Sequence, residues 1–413
     1  MVMTRVPRDV GIVGATGSVG GAALWICENF PERFRVRVLA AYKNEHAMED
    51  LVRRFHPEVV VLVEETAAAA LSRRIPEGIQ VLSGRNALED MVHRLPGTHW
   101  VFASSGTGAL EALRNALRQG DDVSLANKES VVVAGPWMLP LVSRDDQLRP
   151  VDSEHNAIWQ CLRGEDERHV DRIWLTASGG PFRNFSREEM EKVTPDQALR
   201  HPTWAMGAKI TVDSATLMNK GIEILEAMQL FHLPVQRVHA LIHPGSLVHG
   251  AVRFRDGCTK MLVSTPDMRV PAGVAMAFPE RLPLLETELA PPPAAPMHLS
   301  LDAPDGDRFP CFALALEAGR RGGPYPALLV GADEVAVQAF LENRLGFLDM
   351  AAVVEETLAK WNGVAPTSME DAVALVEEAR RYATAICDAR GHRVAPAGFA
   401  RRDARHFLER RLH

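Results

Sequence analysis

Val10-Gly-Ile-Val-Gly-Ala-Thr-Gly-Ser-Val-Gly20 is a short apolar strand that runs into a glycine-rich turn. Apolar residues Ala22, Ala23, Trp25, Ile26 and Phe30 follow, so the turn joins a strand to a helix. The glycines at Gly14, Gly17 and Gly20 form a G-x-x-G-x-x-G variant of the dinucleotide fingerprint. Glycines let backbone approach a pyrophosphate, and a helix N-terminus offers free N–H groups and positive potential. Many glycine-rich turns bind nothing, but the position between strand and helix favours a nucleotide site.

A second strand, Arg35 to Ala41, ends in Tyr42-Lys43-Asn44. An NAD enzyme usually places an acid there for the ribose hydroxyls. A cation without an acid favours the ribose phosphate of NADP, although Lys43 is equally readable as a surface lysine. Val59–Val63, Gln80–Leu82 and Trp100–Ala103 read as further buried strands, separated by helical stretches such as Ala47–Phe55, Ala87–Arg94 and Gly106–Arg118. This is the alternation of a doubly wound α/β sheet. Val123–Ser130 then delivers Asn127, Lys128 and Glu129 at the C-terminal end of a strand, where open α/β sheets bind ligands. The nucleotide-binding domain is expected over 1–150.

Composition sets limits on the rest. At 413 residues the chain is long enough for two or three domains, and 46% apolar content supports real cores. A net charge of −7 and the lack of a long basic block argue against nucleic-acid binding; the pairs Arg401-Arg402 and Arg410-Arg411 read as solvating a last helix. Five scattered cysteines contain no C-x-x-C, so neither a disulfide framework nor a thiolate zinc site is expected. A first strand near Asp9 leaves no room for a signal or transit peptide, and no apolar run can span a membrane. A reducing, cytoplasmic location is the expectation.

Pro150-Val-Asp-Ser-Glu-His-Asn156 opens a second domain, expected over 151–288. Read as an extended segment, it turns Asp152 and Glu154 to one side, an oxygen-rich place for Mg2+ or Mn2+. An isolated D-x-E is more often a solvated loop. Ser178-Gly179-Gly180 follows a strand and can form an anion nest, or only a turn. His201-Pro-Thr-Trp-Ala-Met-Gly207 suits a lid with a glycine hinge, though an ordinary loop fits as well. Thr211–Glu223 is dense in polar groups. Ser214, Asn219 and Lys220 make a phosphate set, and Glu223 is a third carboxylate at the start of an apolar helix. Glu226 reads as a surface or capping residue. His243 and His249 match no zinc spacing and read as structural. Gly250–Phe254, an Asp256-Gly257 turn and Cys258–Ser264 read as a hairpin.

Leu289–Pro296 is proline-rich, and a connector is expected over 289–309. From Pro310 to the end, 310–413, the pattern is helical. Asp349 is expected to cap one helix with the stripe Met350, Val353, Val354, Thr357, Leu358, Trp361. Ser368 is expected to cap another with the stripe Ala372, Leu375, Val376, Ala379, Tyr382, Ala383, Ile386.

With these residues in view, the chain resembles the 1-deoxy-D-xylulose 5-phosphate reductoisomerase family. The resemblance runs through most of the chain: G-A-T-G-S-V-G, L-A-N-K-E-S, P-V-D-S-E-H-N-A-I, S-G-G-P-F-R, H-P-T-W-A-M-G, K-I-T-V-D-S-A-T-L-M-N-K-G-I-E, L-I-H-P-G-S, P-D-M-R-V-P and G-F-L-D-M. It implies a Rossmann-like N-terminal sheet, a central α+β catalytic domain and a C-terminal helical bundle. It implies an NADPH- and divalent-metal-dependent rearrangement and reduction of 1-deoxy-D-xylulose 5-phosphate to 2-C-methyl-D-erythritol 4-phosphate in the non-mevalonate isoprenoid pathway. Mg2+, Mn2+ or Co2+ would serve, and the family forms homodimers.

By the same resemblance, Asp152, Glu154 and Glu223 bind the metal. Ser178, Ser214, Asn219 and Lys220 hold the phosphate side. Lys128, Ser153, Glu154 and His201 contact the sugar, with Lys128, Glu154 and His201 catalytic. Trp204 and Met206 belong to a closing flap. Thr16, Gly17, Ser18, Val19, Lys43, Asn44, Asn127, Glu129 and Gly207 line the NADPH site. The chain departs from the family pattern in five places. H-P-Q-S is His243-Pro244-Gly245-Ser246, a glycine ahead of P-D-M-R is Ser264, and a common basic residue or proline is Ala208. A-A-G-L-x-P-T is Ser105–Glu111, and N-A-A-N-E is Val330-Gly-Ala-Asp-Glu334. On the residues alone, two other readings stay open. A metal-free NADP dehydrogenase, for example on an amino-acid semialdehyde, would need a nucleophilic cysteine or a metal-free hydride site, and no cysteine sits in such a motif. A non-catalytic NADPH sensor would be expected to lack one of the three carboxylates.

Overall fold

The computed structural model describes residues 6–204, 206–289 and 299–391. The chain begins β1 (Arg8–Val13), α1 (Ser18–Asn29), β2 (Phe34–Ala41), α2 (Glu45–Phe55), β3 (Val59–Leu62), α3 (Glu65–Ser72), β4 (Gln80–Ser83) and α4 (Arg85–Arg94). It continues β5 (His99–Phe102), α5 (Leu110–Gln119), β6 (Val123–Leu125), α6 (Lys128–Met138) and β7 (Leu148–Pro150). The seven strands form one parallel sheet in the order β4-β3-β2-β1-β5-β6-β7. A parallel sheet needs helices on both faces, and β3 and β5 are accordingly buried throughout. Gln80–Ser83 is the exception to the expected buried strands. It is the last strand of the order, has a neighbour on one side only, and its outer residues are exposed. The order reverses between β1 and β5, which places a ligand crevice at their C-terminal ends.

The next stretch runs α7 (Ser153–Leu162), β8 (Val170–Ala177), α8 (Arg187–Met190), α9 (Pro195–Ala198), α10 (Ala208–Ala215), α11 (Met218–Leu230), β9 (Val238–Ile242), β10 (Val248–Phe254) and β11 (Thr259–Val263). The strands form a second sheet ordered β11-β10-β8-β9. β10 and β11 are the expected hairpin, turned at Gly257, which takes a φ of 90°, while Asp256 accepts from the Cys258 N–H. α12 (Arg269–Ala277) then returns to the first sheet and packs on α1. Two arginines hold its C-terminal carbonyls: Arg149 donates to Ala275 at 3.1 Å and Arg8 to Met276 at 2.8 Å.

The chain ends in α13 (Pro310–Arg321), α14 (Tyr325–Leu341), α15 (Asp349–Lys360) and α16 (Met369–Gly391), whose apolar faces share one core with α10, α11 and the second sheet. Both expected stripes are buried apart from the partly exposed Trp361 and Tyr382. Ser368 caps α16 as expected, accepting from the Asp371 N–H at 3.0 Å. Asp349 opens α15 rather than capping it, and Leu348 holds the cap position. Residues 290–298 of the expected connector, which hold its prolines up to Pro296, and the arginines Arg401, Arg402, Arg410 and Arg411 lie outside the described residues. Among the described residues no helix is long and apolar enough to cross a membrane.

Candidate active site

The carboxylates meet through helix geometry rather than an extended segment. β7 stops at Pro150, Asp152 occupies the N-cap of α7, and Glu154 lies in its first turn. The same-side argument for a strand therefore does not apply. The buried run from His155 to Ile158 takes helical spacing, and the Asn156 side chain ties the first turn back to the Pro150 carbonyl at 2.7 Å. Opposite, Leu217 adopts a left-handed φ of 59° and redirects the chain from α10 into α11. Glu223 then projects one turn into α11, on the same face as Asn219. One oxygen from each of Asp152, Glu154 and Glu223 lies within 4.8 Å of the others.

Two buried lysines bind this cluster. Lys128 Nζ pairs with Asp152 at 2.8 Å and Glu223 at 3.0 Å, and donates to the side-chain Oδ1 of Asn219 at 2.8 Å. Lys220 Nζ reaches Glu154 at 2.8 Å and also pairs with Glu223. Ser153 Oγ donates to Glu154 at 2.6 Å. Burial opposes charge on both lysines, but Asp152 and Glu223 hold the Lys128 pKa well above its usual value, and Glu154 with Glu223 raises Lys220. Burial also opposes charge on Asp152, yet Lys128 wins and holds that carboxyl below its usual range. Glu154 goes the other way. Burial pushes it up, Glu223 and Asp152 add to the push, and Lys220 opposes only in part.

On the other wall stand the residues proposed for the phosphate. His201 Nε2 faces Ser178 Oγ at 3.1 Å and Ser214 Oγ at 3.0 Å. Its Nδ1 accepts from the N–H groups of Thr203 and Trp204, at 3.1 and 2.8 Å. Nδ1 is therefore the acceptor, which puts the ring proton on Nε2. Burial lowers the His201 pKa to about 4, so the ring is neutral near pH 7. Gly179 and Gly180 both take positive φ, and Gly180 N–H donates to Ser178 Oγ at 3.2 Å. Asn219 and Lys220 stand with the carboxylates instead: the Asn219 amide donates to Glu223, and Lys220 pairs with Glu154 and Glu223.

The nucleotide turn lies beside these groups. Gly14 has a φ of 90° and sits against the backbone of Ala103 and Ser104. A Cβ at Gly20 would overlap the Gly14 carbonyl oxygen, so this glycine lets α1 begin tight against the turn. Gly17 is the N-cap of α1, with no side chain covering the free N–H groups. A single cavity of about 540 Å3 runs from Ser18, Val19 and Trp25 to the carboxylates and the His201 wall. It includes Lys128, Ser153, Trp204 and Met206.

The remaining candidates stand around this cavity rather than on its walls. Thr16 and Gly17 precede its first lining residue, and Gly207 follows Met206. Lys43 and Asn44 are exposed beyond β2, where Asn44 caps α2. Asn127 caps α6 and donates to the Gly106 carbonyl at 2.7 Å; Glu129 is buried in the first turn of α6.

Glu226 is the residue that the sequence reading misplaced. It is fully buried, 3.3 Å from His155 Nε2, and His155 Nδ1 lies 3.9 Å from Asp152. Burial raises its pKa, with His155 opposing and Asp152 adding. Asn219, Glu223 and Glu226 share one polar stripe of α11, and it is the burial of that helix from Lys220 to Ala227 that turns the stripe inward. His155 was quoted without a role. Asp267 and Arg269 also line the cavity, and the Arg269 guanidinium stacks over Trp25 at 4.7 Å. His243 and His249 are buried and bond the Ser300 and Ser264 carbonyls, so the structural reading of both is the observed one.

This donor set fits a hard divalent cation. Four buried or half-buried carboxylates, Asp152, Glu154, Glu223 and Glu226, face two ammonium groups, which leaves two negative charges when all ionise. Cysteine takes no part: all five are free thiols remote from this cavity.

Sequence comparison gives concordant matches. Residues 10–135 match the family described as 1-deoxy-D-xylulose 5-phosphate reductoisomerase, 148–231 match that enzyme's C-terminal domain, and 263–382 match a DXP reductoisomerase C-terminal domain. The 1-deoxy-D-xylulose 5-phosphate reductoisomerase of Zymomonas mobilis is 40% identical over 391 residues, 92% of this chain and 98% of the relative. The solved structure of 1-deoxy-D-xylulose 5-phosphate reductoisomerase from Zymomonas mobilis in complex with NADPH superposes with a TM-score of 0.83 at 38% identity, covering 93% of this chain and 100% of the other. A DOX-P reductoisomerase in complex with NADPH, fosmidomycin and magnesium gives 0.84 at 32% identity, covering 92% and 98%.

Proposed function

The chain belongs to the 1-deoxy-D-xylulose 5-phosphate reductoisomerase family, and from that premise we propose how its residues carry the reaction. It is an NADP-dependent oxidoreductase that converts 1-deoxy-D-xylulose 5-phosphate to 2-C-methyl-D-erythritol 4-phosphate with NADPH and a divalent metal. The single observation that carries the residue assignment is the convergence of Asp152, Glu154 and Glu223 on one point of the cavity that also reaches the nucleotide turn.

Asp152, Glu154 and Glu223 would hold the metal, which supplies Lewis acidity to the substrate's oxygens when bound. NADPH supplies the hydride. Thr16, Gly17, Ser18, Val19, Lys43, Asn44, Asn127, Glu129 and Gly207 would hold the cofactor, with Lys43 as the cation for the ribose phosphate. Lys128 keeps its charge between two of the carboxylates, and it would donate to a sugar oxygen by exchanging one of its present partners, Asp152, Glu223 or Asn219. Glu154 accepts a hydrogen bond from Ser153, which would orient its carboxylate both as a metal ligand and as a group that exchanges a proton with the substrate. Ser178, Ser214, Asn219 and Lys220 would bind the phosphate, with the neutral His201 bridging the two serines and donating from Nε2. Trp204 and Met206 would close over the substrate and exclude water.

The division into 1–150, 151–288, 289–309 and 310–413 is part of this proposal. So are a cytoplasmic location, which the free thiols support, and a homodimer. β11 supports the dimer: it is an edge strand that exposes Met261 and Val263. No nucleic-acid or membrane partner is proposed. The test is NADPH oxidation by the purified protein with 1-deoxy-D-xylulose 5-phosphate, with and without Mg2+ or Mn2+. Turnover that a chelator abolishes is expected. Turnover that survives chelation would overturn the metal assignment, and NADPH binding without turnover under any metal would overturn the catalytic one.

A further inference from the structure

An ion-pair cluster outside the cavity, with two buried carboxylates and a partly exposed lysine, ties the flap's base to the C-terminal helices. Lys209, in the first turn of α10, places Nζ 2.6 Å from Asp213 on the next turn and 2.7 Å from Asp333 on α14. Both carboxylates have side chains only 4% exposed. The Asp213 contact lies within one helix. The Asp333 contact joins two parts of the chain 124 residues apart.

Helix α10 is the lever of the site. Gly207 is its N-cap, directly after Trp204 and Met206, and Thr211 Oγ1 donates to the Gly207 carbonyl at 2.8 Å. Its last turn carries Ser214, which meets His201. A small rotation of α10 would therefore move the hinge and the phosphate serine together. α14 is a rigid reference for it: a Cβ at Gly331 would overlap the Val376 carbonyl oxygen, so α14 and α16 touch backbone to backbone two residues from Asp333. Glu334 beside it is paired with Arg380, the buried residues of α14 are otherwise apolar, and burying a carboxylate there is costly unless it is paired. Apolar residues of that volume would pack as stably, but they would not select one rotation of α10.

We propose that Lys209 is a positioning residue: bound to Asp333, it sets the rotation of α10 so that Ser214 and His201 stand ready for the substrate's phosphate. This makes the C-terminal helices part of substrate binding, and it rests on the function given above.

The test compares Lys209→Met, Asp333→Leu and Asp333→Asn with the wild type. KM for 1-deoxy-D-xylulose 5-phosphate, kcat, the Kd of NADPH and Tm are measured for each. Losing a charge-assisted hydrogen bond of this kind is expected to raise KM about tenfold in Asp333→Leu and Lys209→Met, with NADPH affinity unchanged. Asp333→Asn keeps an acceptor for Lys209 and is expected to stay within about threefold of wild type. A fall in Tm with KM unchanged in Asp333→Leu would overturn the proposal and leave the pair a stabilising one. An equal loss in Asp333→Asn and Asp333→Leu would also overturn it, because the acceptor would then not matter. If Lys209→Met fails to fold, the two Asp333 variants still decide. Absence of any turnover in the wild type would instead count against the function itself.

Discussion

Glu223→Gln is the substitution that bears most directly on the metal assignment. Glu223 is 1% exposed and is the one carboxylate shared by both lysines. Removing its charge does not strand either cation, because Lys128 keeps Asp152 at 2.8 Å and Lys220 keeps Glu154 at 2.8 Å. The variant is therefore expected to fold with a stability change of about 2 kcal/mol or less. Metal binding is expected to suffer far more. Two unit charges about 4 Å apart at an effective dielectric near 20 interact by about 4 kcal/mol, and a divalent ion doubles that to about 8. If movement of the lysines recovers two thirds, about 2.7 kcal/mol remains, roughly a hundredfold in affinity. Titration of Mn2+ followed by electron paramagnetic resonance measures the Kd without turnover, and thermal unfolding checks the fold. A Kd within threefold of wild type in a folded Glu223→Gln would refute the ligand role.

Other perturbations separate other parts of the molecule. His249 is buried, and burial together with Lys220 lowers its pKa from 6.5 to about 4. The unfolded chain takes up a proton below about pH 6.5 while the folded chain does not until about 4, so stability is present at pH 7 and lost as pH falls through that window. The loss is at most about 3 kcal/mol, and His249→Gln is expected to flatten it in denaturant titrations run at several pH values. Gly20→Ala forces a methyl into the Gly14 carbonyl, backbone against backbone, and is expected to destabilise by about 1–3 kcal/mol and weaken NADPH binding; unchanged Tm and Kd would contradict the tight-turn account. Lys43→Glu is expected to move the NADPH-to-NADH preference toward NADH by about tenfold or more, from a lost surface ion pair plus new repulsion. Equal KM values for NADPH in the two proteins would return Lys43 to the status of a surface lysine.

The sequence by itself determined the features governed by local geometry. A strand, three spaced glycines and an apolar helix announce a nucleotide turn because only that order places bare backbone at a helix N-terminus. Asp256-Gly257 announces its hairpin because glycine tolerates the φ the turn requires. Ser368 announces its helix because a serine oxygen there meets a free N–H. The three carboxylates and the polar run at Ser214, Asn219 and Lys220 were legible as chemistry, since buried-looking segments seldom carry so many charges without a purpose.

Tertiary structure alone decided how they meet. Asp152 and Glu154 were expected on one side of an extended segment, yet they converge from a helix cap and its first turn, because the packing of Ile158 and the Asn156 bond to Pro150 start α7 at once. Glu226 was assigned to the surface because two glutamates three apart on a helix usually share a solvated face. Here α11 is packed against α6, α10, α13, β8 and β9, and His155 of α7 reaches its polar stripe, so the same spacing delivers Glu226 to His155. Gln80–Ser83 looked like a buried strand, but whether a strand has one neighbour or two depends on where the sheet ends. Periodicity describes one element against an unspecified background. The second partner, whether a lysine 95 residues away at Glu223 or an aspartate 124 residues away at Lys209, exists only once the elements are assembled.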